Sequence, residues 1–213
     1  MAKKKEETQK VEINIVQQFP NIFRAYEIAA VNNLKISVYA NLDSYPNAVK
    51  DFEAIKNSGG RMRWVCDVEE NPADIFVEMH KPSDTIPKHR CEDIYDITKR
   101  VELTKNKKIK VADGIEASSK QLLETAIRRL NLSIVTDVPK IIDLAKAIAR
   151  TGLYTEIKVE HIAEAIQYNK AIISDGEYIV SDAESLIISE ARELLRKSNP
   201  EFIDRFNSIF HNV

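Results

Sequence analysis

The chain has 213 residues, 30% of them charged and 44% hydrophobic, and its 31 basic and 33 acidic side chains leave a formal net charge of −2. This balance excludes a strongly basic nucleic-acid coat protein and an acidic tail protein, and the length allows one or two domains. No apolar run approaches the roughly 20 residues that span a bilayer, so we expect no membrane association. With two cysteines and no hydrophobic stretch behind the basic N-terminus, we expect a cytoplasmic protein without disulfides.

The first half of the chain alternates predicted strands and helices, after a charged segment, residues 1–10, that predicts a disordered tail. Alternating or β-branched patterns predict strands at Val11–Val16, Leu34–Ala40, Arg63–Val68 and Asp74–Met79. Helices are predicted at Ile22–Val31 and Pro46–Lys56, the second capped by Asp43 or Ser44. The alternation predicts a small α/β unit, residues 11–90, with a parallel sheet of three to four strands.

The second half has the pattern of a helical domain. Helices are predicted at Cys91–Lys105, Ser118–Arg129, Val138–Arg150, Val159–Ile172, Ser181–Lys197 and Pro200–Phe210. Gly152 is predicted to end the third of these helices. Prolines and polar residues cluster between Pro82 and Ile94, so we place a domain boundary there, with a helical domain at 91–172 and a helical extension at 173–213.

Three stretches of the helical half carry a resemblance to a known family. Ala126–Ser133 matches the pattern A-x-x-x-L-x-L-S, Ile141–Arg150 is similar to a helix written I-x-R-x-A-R-T-I-A, and His161–Tyr168 matches H-[IL]-x-E-A-[IL]-x-Y. Together they resemble the C-terminal helical lid of AAA+ ATPases of the magnesium-chelatase and competence-helicase type. The resemblance implies that residues 91–172 form a lid-like domain.

The resemblance extends into the first half through three further stretches. Ala25–Ala30 resembles the family's A-x-E-I-A-A helix, Arg63–Pro72 its strand ending in N-P, and Asp74–Pro82 its last core strand. The family arrangement implies that the last, first and N-P strands lie side by side. It also implies that Asn71 matches a phosphate-sensing Asn, although an Asn-Pro pair after a strand is more often a plain turn.

The family's nucleotide site is missing from this sequence. Such a site needs G-x-x-x-x-G-K-[ST], in which glycines bring backbone amides to the phosphates and the lysine neutralises charge. Ala40–Ala48 contains no glycine and no lysine, Asp43 adds a negative charge, and Pro46 lacks an amide donor. Ile134–Thr136 stand where the family carries an arginine that reaches the nucleotide. We therefore expect no catalytic residue and no cofactor. The relic positions of the lost site are Asp43, Ser44, Tyr45 and Asn71.

Cysteine and histidine side chains do not predict a metal site. Cys66, His80, His89 and Cys91 lack the C-x-x-C spacing that is typical of structural zinc sites. We expect buried cysteines and solvated histidines instead.

The predicted function is that of a non-catalytic protein-interaction module derived from a magnesium-chelatase-like AAA+ ATPase, which contacts a protein partner or a second copy of itself. An apolar stripe at helical spacing packs on the chain's own core or on that partner, and consists of Phe202, Phe206, Ile209 and Phe210. Two alternatives are an atypical ATPase and a DNA-associated accessory protein. The DNA alternative would use the basic residues Lys99, Arg100, Lys105, Lys107, Lys108 and Lys110.

Overall fold

The computed structural model describes residues 15–58, 74–82, 93–168, 173–174, 177–178, 182–198 and 200–203. Its α-helices are α1 (Ile15–Gln18), α2 (Pro20–Asn32), α3 (Ala48–Ser58), α4 (Ile94–Lys107), α5 (Ala117–Arg129), α6 (Asp137–Thr151), α7 (Val159–Tyr168) and α8 (Asp182–Ser198). Its strands are β1 (Ile36–Tyr39), β2 (Ile75–Glu78), β3 (Ile173–Ser174) and β4 (Glu177–Tyr178). A short 3-10 turn, Pro200–Phe202, follows α8. The described part of the protein is therefore mostly helical.

Strands β1 and β2 form a small parallel sheet. The register runs from Ile36 opposite Ile75 to Tyr39 opposite Glu78, so the strands predicted at Leu34–Ala40 and Asp74–Met79 are neighbours, as the family arrangement implies. The predicted sheet of three to four strands is not confirmed, because within the described residues this sheet has two strands, and the predicted strand Arg63–Val68 lies outside them. Strands β3 and β4 pair separately, in an antiparallel hairpin.

The strand predicted at Val11–Val16 is wrong at its C-terminal end, where Ile15 begins helix α1. The amide of Phe19 donates to the Ile15 carbonyl at 3.2 Å and the amide of Phe23 to the Phe19 carbonyl at 3.3 Å. Val16, Phe19 and Phe23 are all buried, so an i, i+3, i+7 helical pattern overrides the short alternation. Phe19 interrupts the helix because the residue before a proline avoids the α region. Residues 1–14, including the predicted tail, lie outside the described part.

Helix α2 lies at the centre of the described structure. It packs against both strands of the parallel sheet and against α4 and α6 of the helical half, and α7 reaches β2. Its side chains Ile22, Phe23 and Ile28 are almost completely buried. The side-chain nitrogen of Asn32 donates to the Ala147 carbonyl at 3.0 Å, and the side-chain oxygen of Asn32 accepts from Arg150 at 2.6 Å. These two bonds connect the end of α2 to α6.

Helices α4 to α8 follow the predicted pattern, with shifted ends, whereas the hairpin of β3 and β4 was not predicted and the helix predicted at Pro200–Phe210 begins as a 3-10 turn. Helix α4 begins at Ile94 because the Asp93 carboxylate caps it, accepting from the Asp96 amide at 2.9 Å. The predicted cap of α8, Ser181, lies outside the described residues. Among the described helices, none has the length and apolar character needed to cross a membrane.

Gly152 ends α6, as predicted, but not in the left-handed conformation that glycine commonly adopts at the end of a helix. Its φ is −81°, and the left-handed conformation falls on Leu153, with φ 64°. A Cβ atom at Gly152 would lie 2.9 Å from the ring of Tyr154. Glycine is therefore needed here because the Tyr154 ring approaches the backbone, and not because of its own dihedral angles.

Candidate functional site

The turn that follows β1 occupies the place where the family resemblance implies a phosphate-binding loop. Its backbone amides are consumed within the turn: the Asn41 side-chain oxygen accepts from the Asp43 amide at 3.0 Å and from the Ser44 amide at 3.3 Å. The Asn41 carbonyl accepts from the Tyr45 amide at 2.8 Å. A phosphate cradle needs such amides to point at the ligand, so Asn41 takes the place that a phosphate oxygen would hold.

Tyr45 turns inward beneath this turn, whereas Asp43 and Ser44 are exposed. Its side chain is buried and its hydroxyl donates to the Asp51 carboxylate. Burial, and then the hydrogen bond and the negative charge of Asp51, raise the pKa of Tyr45 well above its usual value. The prediction that Asp43 or Ser44 caps α3 is wrong. The first hydrogen bond of the helix runs from the Asp51 amide to the Asn47 carbonyl, at 3.0 Å. Asn71 lies outside the described residues.

A buried ion cluster joins three helices elsewhere in the fold. Arg24 on α2 donates through Nε and Nη2 to both carboxylate oxygens of Glu164 on α7, at 2.8 and 3.2 Å, and its Nη1 lies 3.3 Å from Glu27. The Glu164 side chain is 4% exposed and that of Glu27 is 8% exposed. Arg24 therefore makes a bidentate charge-assisted contact in a site that water scarcely reaches.

The same ion cluster extends to α4 and to the end of α7. Arg100 donates to Glu27 at 2.6 Å, and the Tyr168 hydroxyl donates to Glu164 at 3.3 Å. Burial lowers the pKa of Arg24 more than any other single influence, but the combined attraction of Glu164 and Glu27 outweighs it and the pKa ends above its usual value. Burial also raises the pKa of Tyr168, helped by the Glu164 charge. The cluster holds two positive and two negative side chains, so the charges balance.

This ion cluster was not predicted from the sequence, although two residues of α2 and α7 indicate it. Glu27 and Glu164 interrupt apolar stretches of α2 and α7, and both fall in stretches that carry the family resemblance. Buried carboxylates are rare unless they are paired. An acidic residue in the middle of an otherwise apolar helix therefore calls for a cation from a neighbouring helix.

The basic residues predicted to contact nucleic acid do not form one surface. Arg100 belongs to the ion cluster, whereas the other five side chains are exposed; these are Lys99, Lys105, Lys107, Lys108 and Lys110. At about 100° per residue, Lys105 points more than about 100° away from Lys99 around α4. The segment is thus a set of solvated lysines around and beyond the end of a helix, where they complement its dipole. Nucleic-acid binding stays a prediction.

The C-terminal apolar stripe falls almost wholly outside the described residues. Phe202 ends the 3-10 turn, but its side chain is outside the described part, as are Phe206, Ile209 and Phe210. Their role as partner contacts stays a prediction.

Of the four residues considered for a metal, His80 is described and lies 3.5 Å from the Glu78 carboxylate. The described residues contain no group of three or more side chains suited to hold a metal ion.

Exposed apolar side chains mark a second kind of candidate site. Ile134 and Val135, in the turn between α5 and α6, are 70% and 83% exposed. The turn is held by the Ser133 amide donating to the Asp137 carboxylate at 2.8 Å and by the Asp137 amide donating to the Ser133 carbonyl at 2.9 Å. These bonds fix the backbone on both sides of two apolar side chains that face solvent.

Comparison of the chain with protein-family models, curated proteins and solved structures gives no match.

Proposed function

We propose that this chain is a non-catalytic protein-interaction module, derived from a magnesium-chelatase-like AAA+ ATPase that has lost its nucleotide site. The observation that carries the proposal is the turn after β1. Its Asp43 and Ser44 amides already donate to Asn41, and Tyr45 is packed beneath them. An anion placed there would have to break these bonds and would also meet the Asp43 carboxylate.

The derivation from this family is supported by where its matching stretches lie in space. The stretch Ala25–Ala30 contributes Glu27 and the stretch His161–Tyr168 contributes Glu164 and Tyr168 to one ion cluster. Strand β2, which matches the family's last core strand, pairs in parallel with β1. Two stretches far apart in the chain thus meet in one buried contact, as expected if both belong to a common ancestral fold.

Action by protein contact is supported by the apolar side chains that the fold leaves in solvent. Ile134 and Val135 stand on a rigid turn, and Tyr95 and Leu103 on α4 are 69% and 55% exposed. Apolar side chains that are exposed in a group are typical of protein interfaces. A module without a nucleotide site can still use such surfaces.

Calorimetric titration of the full chain with ATP and Mg²⁺ tests the loss of the nucleotide site. We expect no saturable heat up to about 1 mM nucleotide, which corresponds to a binding free energy weaker than about −4 kcal/mol. The matched variant is Asn71→Ala, which removes the one residue that the resemblance links to phosphate sensing. Binding tighter than about 100 μM that this substitution abolishes would show an atypical nucleotide site and overturn the proposal.

DNA contact is the second candidate function, favoured by the exposure of Lys99, Lys105 and Lys107–Lys110. Phosphate contacts release counterions, so any such binding must weaken steeply as salt rises. A gel shift at low salt that disappears at high salt, and that is reduced by Lys105→Glu together with Lys107→Glu, would support this function. The absence of any shift at low salt would discard it.

A further inference from the structure

The turn between α5 and α6 forms an apolar tip with a positive rim, which we call the α5–α6 knob. Its apolar members are Ile134 and Val135. Arg128 and Arg129 in the last turn of α5 and Lys140 in the first turn of α6 are exposed beside them. The carboxylate in this stretch, Asp137, is turned back to the Ser133 amide. The knob therefore presents apolar contact area within a net positive rim.

The outward face of α4 has the opposite character. It consists of Tyr95, Asp96, Lys99, Glu102 and Leu103, which are all exposed and lie within about 120° of arc on one helix. The opposite side of α4 is buried through Ile97, Val101 and Thr104. The exposed Asp93 carboxylate at the start of the helix adds further negative charge. This face thus offers an aromatic and an aliphatic anchor among three carboxylates and a single lysine.

We propose that the α5–α6 knob of one copy of this chain docks on the α4 outward face of a second copy. The knob is apolar at its tip, and Tyr95 and Leu103 lie one turn to either side of Lys99 on the α4 outward face. The cations of the knob and the carboxylates of the α4 outward face are of opposite sign, which favours this pairing over knob with knob or face with face. The contact is heterologous, because two different surfaces meet, so successive copies assemble head to tail. The inference rests on the proposed function, whose partner it names.

Sedimentation velocity of the full chain between about 1 and 100 μM, without nucleotide, tests this docking, because a standard transient interface dissociates in that range. We expect the wild type to associate. Ile134→Ser with Val135→Ser, and separately Tyr95→Ser with Leu103→Ser, should each weaken association by at least about 10-fold. The matched control is Leu42→Ser with Val49→Ser, which alters two apolar side chains, 54% and 64% exposed, outside both surfaces.

Mixing the knob variant with the α4 variant separates this contact from the alternatives. Each mixture partner retains the surface that the other lacks, so a one-to-one complex should form although neither variant associates alone. Association of the α4 variant alone at wild-type strength would indicate knob-to-knob contact and overturn the inference. A wild type that stays monomeric at 100 μM, about the weakest affinity of interest, would also overturn it. A monomer that binds no nucleotide leaves the proposed function standing, whereas a monomer that binds ATP as above overturns both.

Lys99→Glu tests the docking by an expected increase in association, which a loss of folded structure would not produce. The substitution removes the one cation of the α4 outward face and adds a carboxylate opposite the knob's positive rim. We expect association to tighten by about 3-fold or more at low salt, and the gain to shrink as salt rises. Weaker association of Lys99→Glu at low salt would contradict the docking arrangement.

Discussion

At the residue scale, Arg24 and Glu164 decide how the helical half meets α2. Their bidentate contact is buried, and it is shared with Glu27 and Arg100. Burying a charge is costly unless it is paired, so removing any one of these side chains destabilises the fold by leaving another buried charge unpaired. A cluster of this kind favours one arrangement of α2, α4 and α7 over others, because any shift separates charges that have already lost their water.

Glu164→Ala should lower the free energy of unfolding by about 3–5 kcal/mol, because it leaves Arg24 buried with a weaker partner. Urea unfolding followed by circular dichroism measures the change. The matched control is Glu193→Ala, which breaks an exposed pair with Arg196 and should change stability by less than about 1 kcal/mol. Equal losses for the two variants would mean that the cluster is not a buried, mutually dependent set.

Glu78 provides a pH-dependent test at the same scale. Burial raises its pKa above the ordinary value of 4.5, although the nearby His80 acts in the opposite direction. The folded state therefore holds this proton more tightly than the unfolded state, and the contribution of Glu78 to stability is lost as pH rises above about 4.5.

Glu78→Gln, which cannot ionise, should therefore be more stable than wild type at pH 7 and similar to it near pH 3.5, about a unit below the ordinary pKa. Thermal unfolding at several pH values measures the difference. A variant that is less stable than wild type at pH 7 would contradict this account of Glu78.

At the element scale, helices with a long apolar period were predictable from sequence and short elements were not. α2 and α4 to α7 each repeat buried side chains over about two turns or more, so the helical period of these stretches is clear in the sequence. The stretch Val11–Val16 alternates for six residues only, and Val16 joined the longer helical pattern of Phe19 and Phe23 instead. The ion cluster was not predictable from any one element, because Arg24, Arg100 and Glu164 come from three helices.

The end of α6 shows how a correct prediction can have a different cause. Glycine commonly ends helices because it adopts the left-handed conformation, whereas here the structure requires space for the Tyr154 ring, which packs edge-on against His161 with centroids 4.8 Å apart. That requirement depends on a contact beyond the helix, so no reading of the α6 sequence by itself contains it.

Gly152→Ala should consequently cost about 1–3 kcal/mol in the free energy of unfolding, since the added methyl displaces a packed ring. Gly114 is the matched control, because a Cβ there meets nothing within 4 Å. Gly114→Ala should be neutral or stabilising by up to about 1 kcal/mol, through the unfolded state. If the two substitutions had the same effect in chemical unfolding, the contact with Tyr154 would not be what requires glycine.

At the scale of the whole molecule, α2 connects a small parallel sheet with a larger set of helices, and the turn after β1 lies at the carboxyl end of that sheet. Open parallel sheets commonly bind ligands at this end. Here the Asp43 and Ser44 amides donate to the Asn41 side-chain oxygen, and the Tyr45 side chain is buried. Exposed apolar side chains lie on α4 and on the turn between α5 and α6, and Leu42 in the turn after β1 and Val49 on α3 are exposed as well.

The most direct measurement of the claim that the turn after β1 holds no nucleotide is a titration of the ¹⁵N-labelled full chain with ATP and Mg²⁺, followed by the backbone amide resonances of Asp43, Ser44 and Tyr45. These amides should keep their chemical shifts at about 1 mM nucleotide, because they remain bonded to Asn41. Saturable shifts of the Asp43 and Ser44 amides would show that the turn opens to hold a phosphate, and would contradict the account.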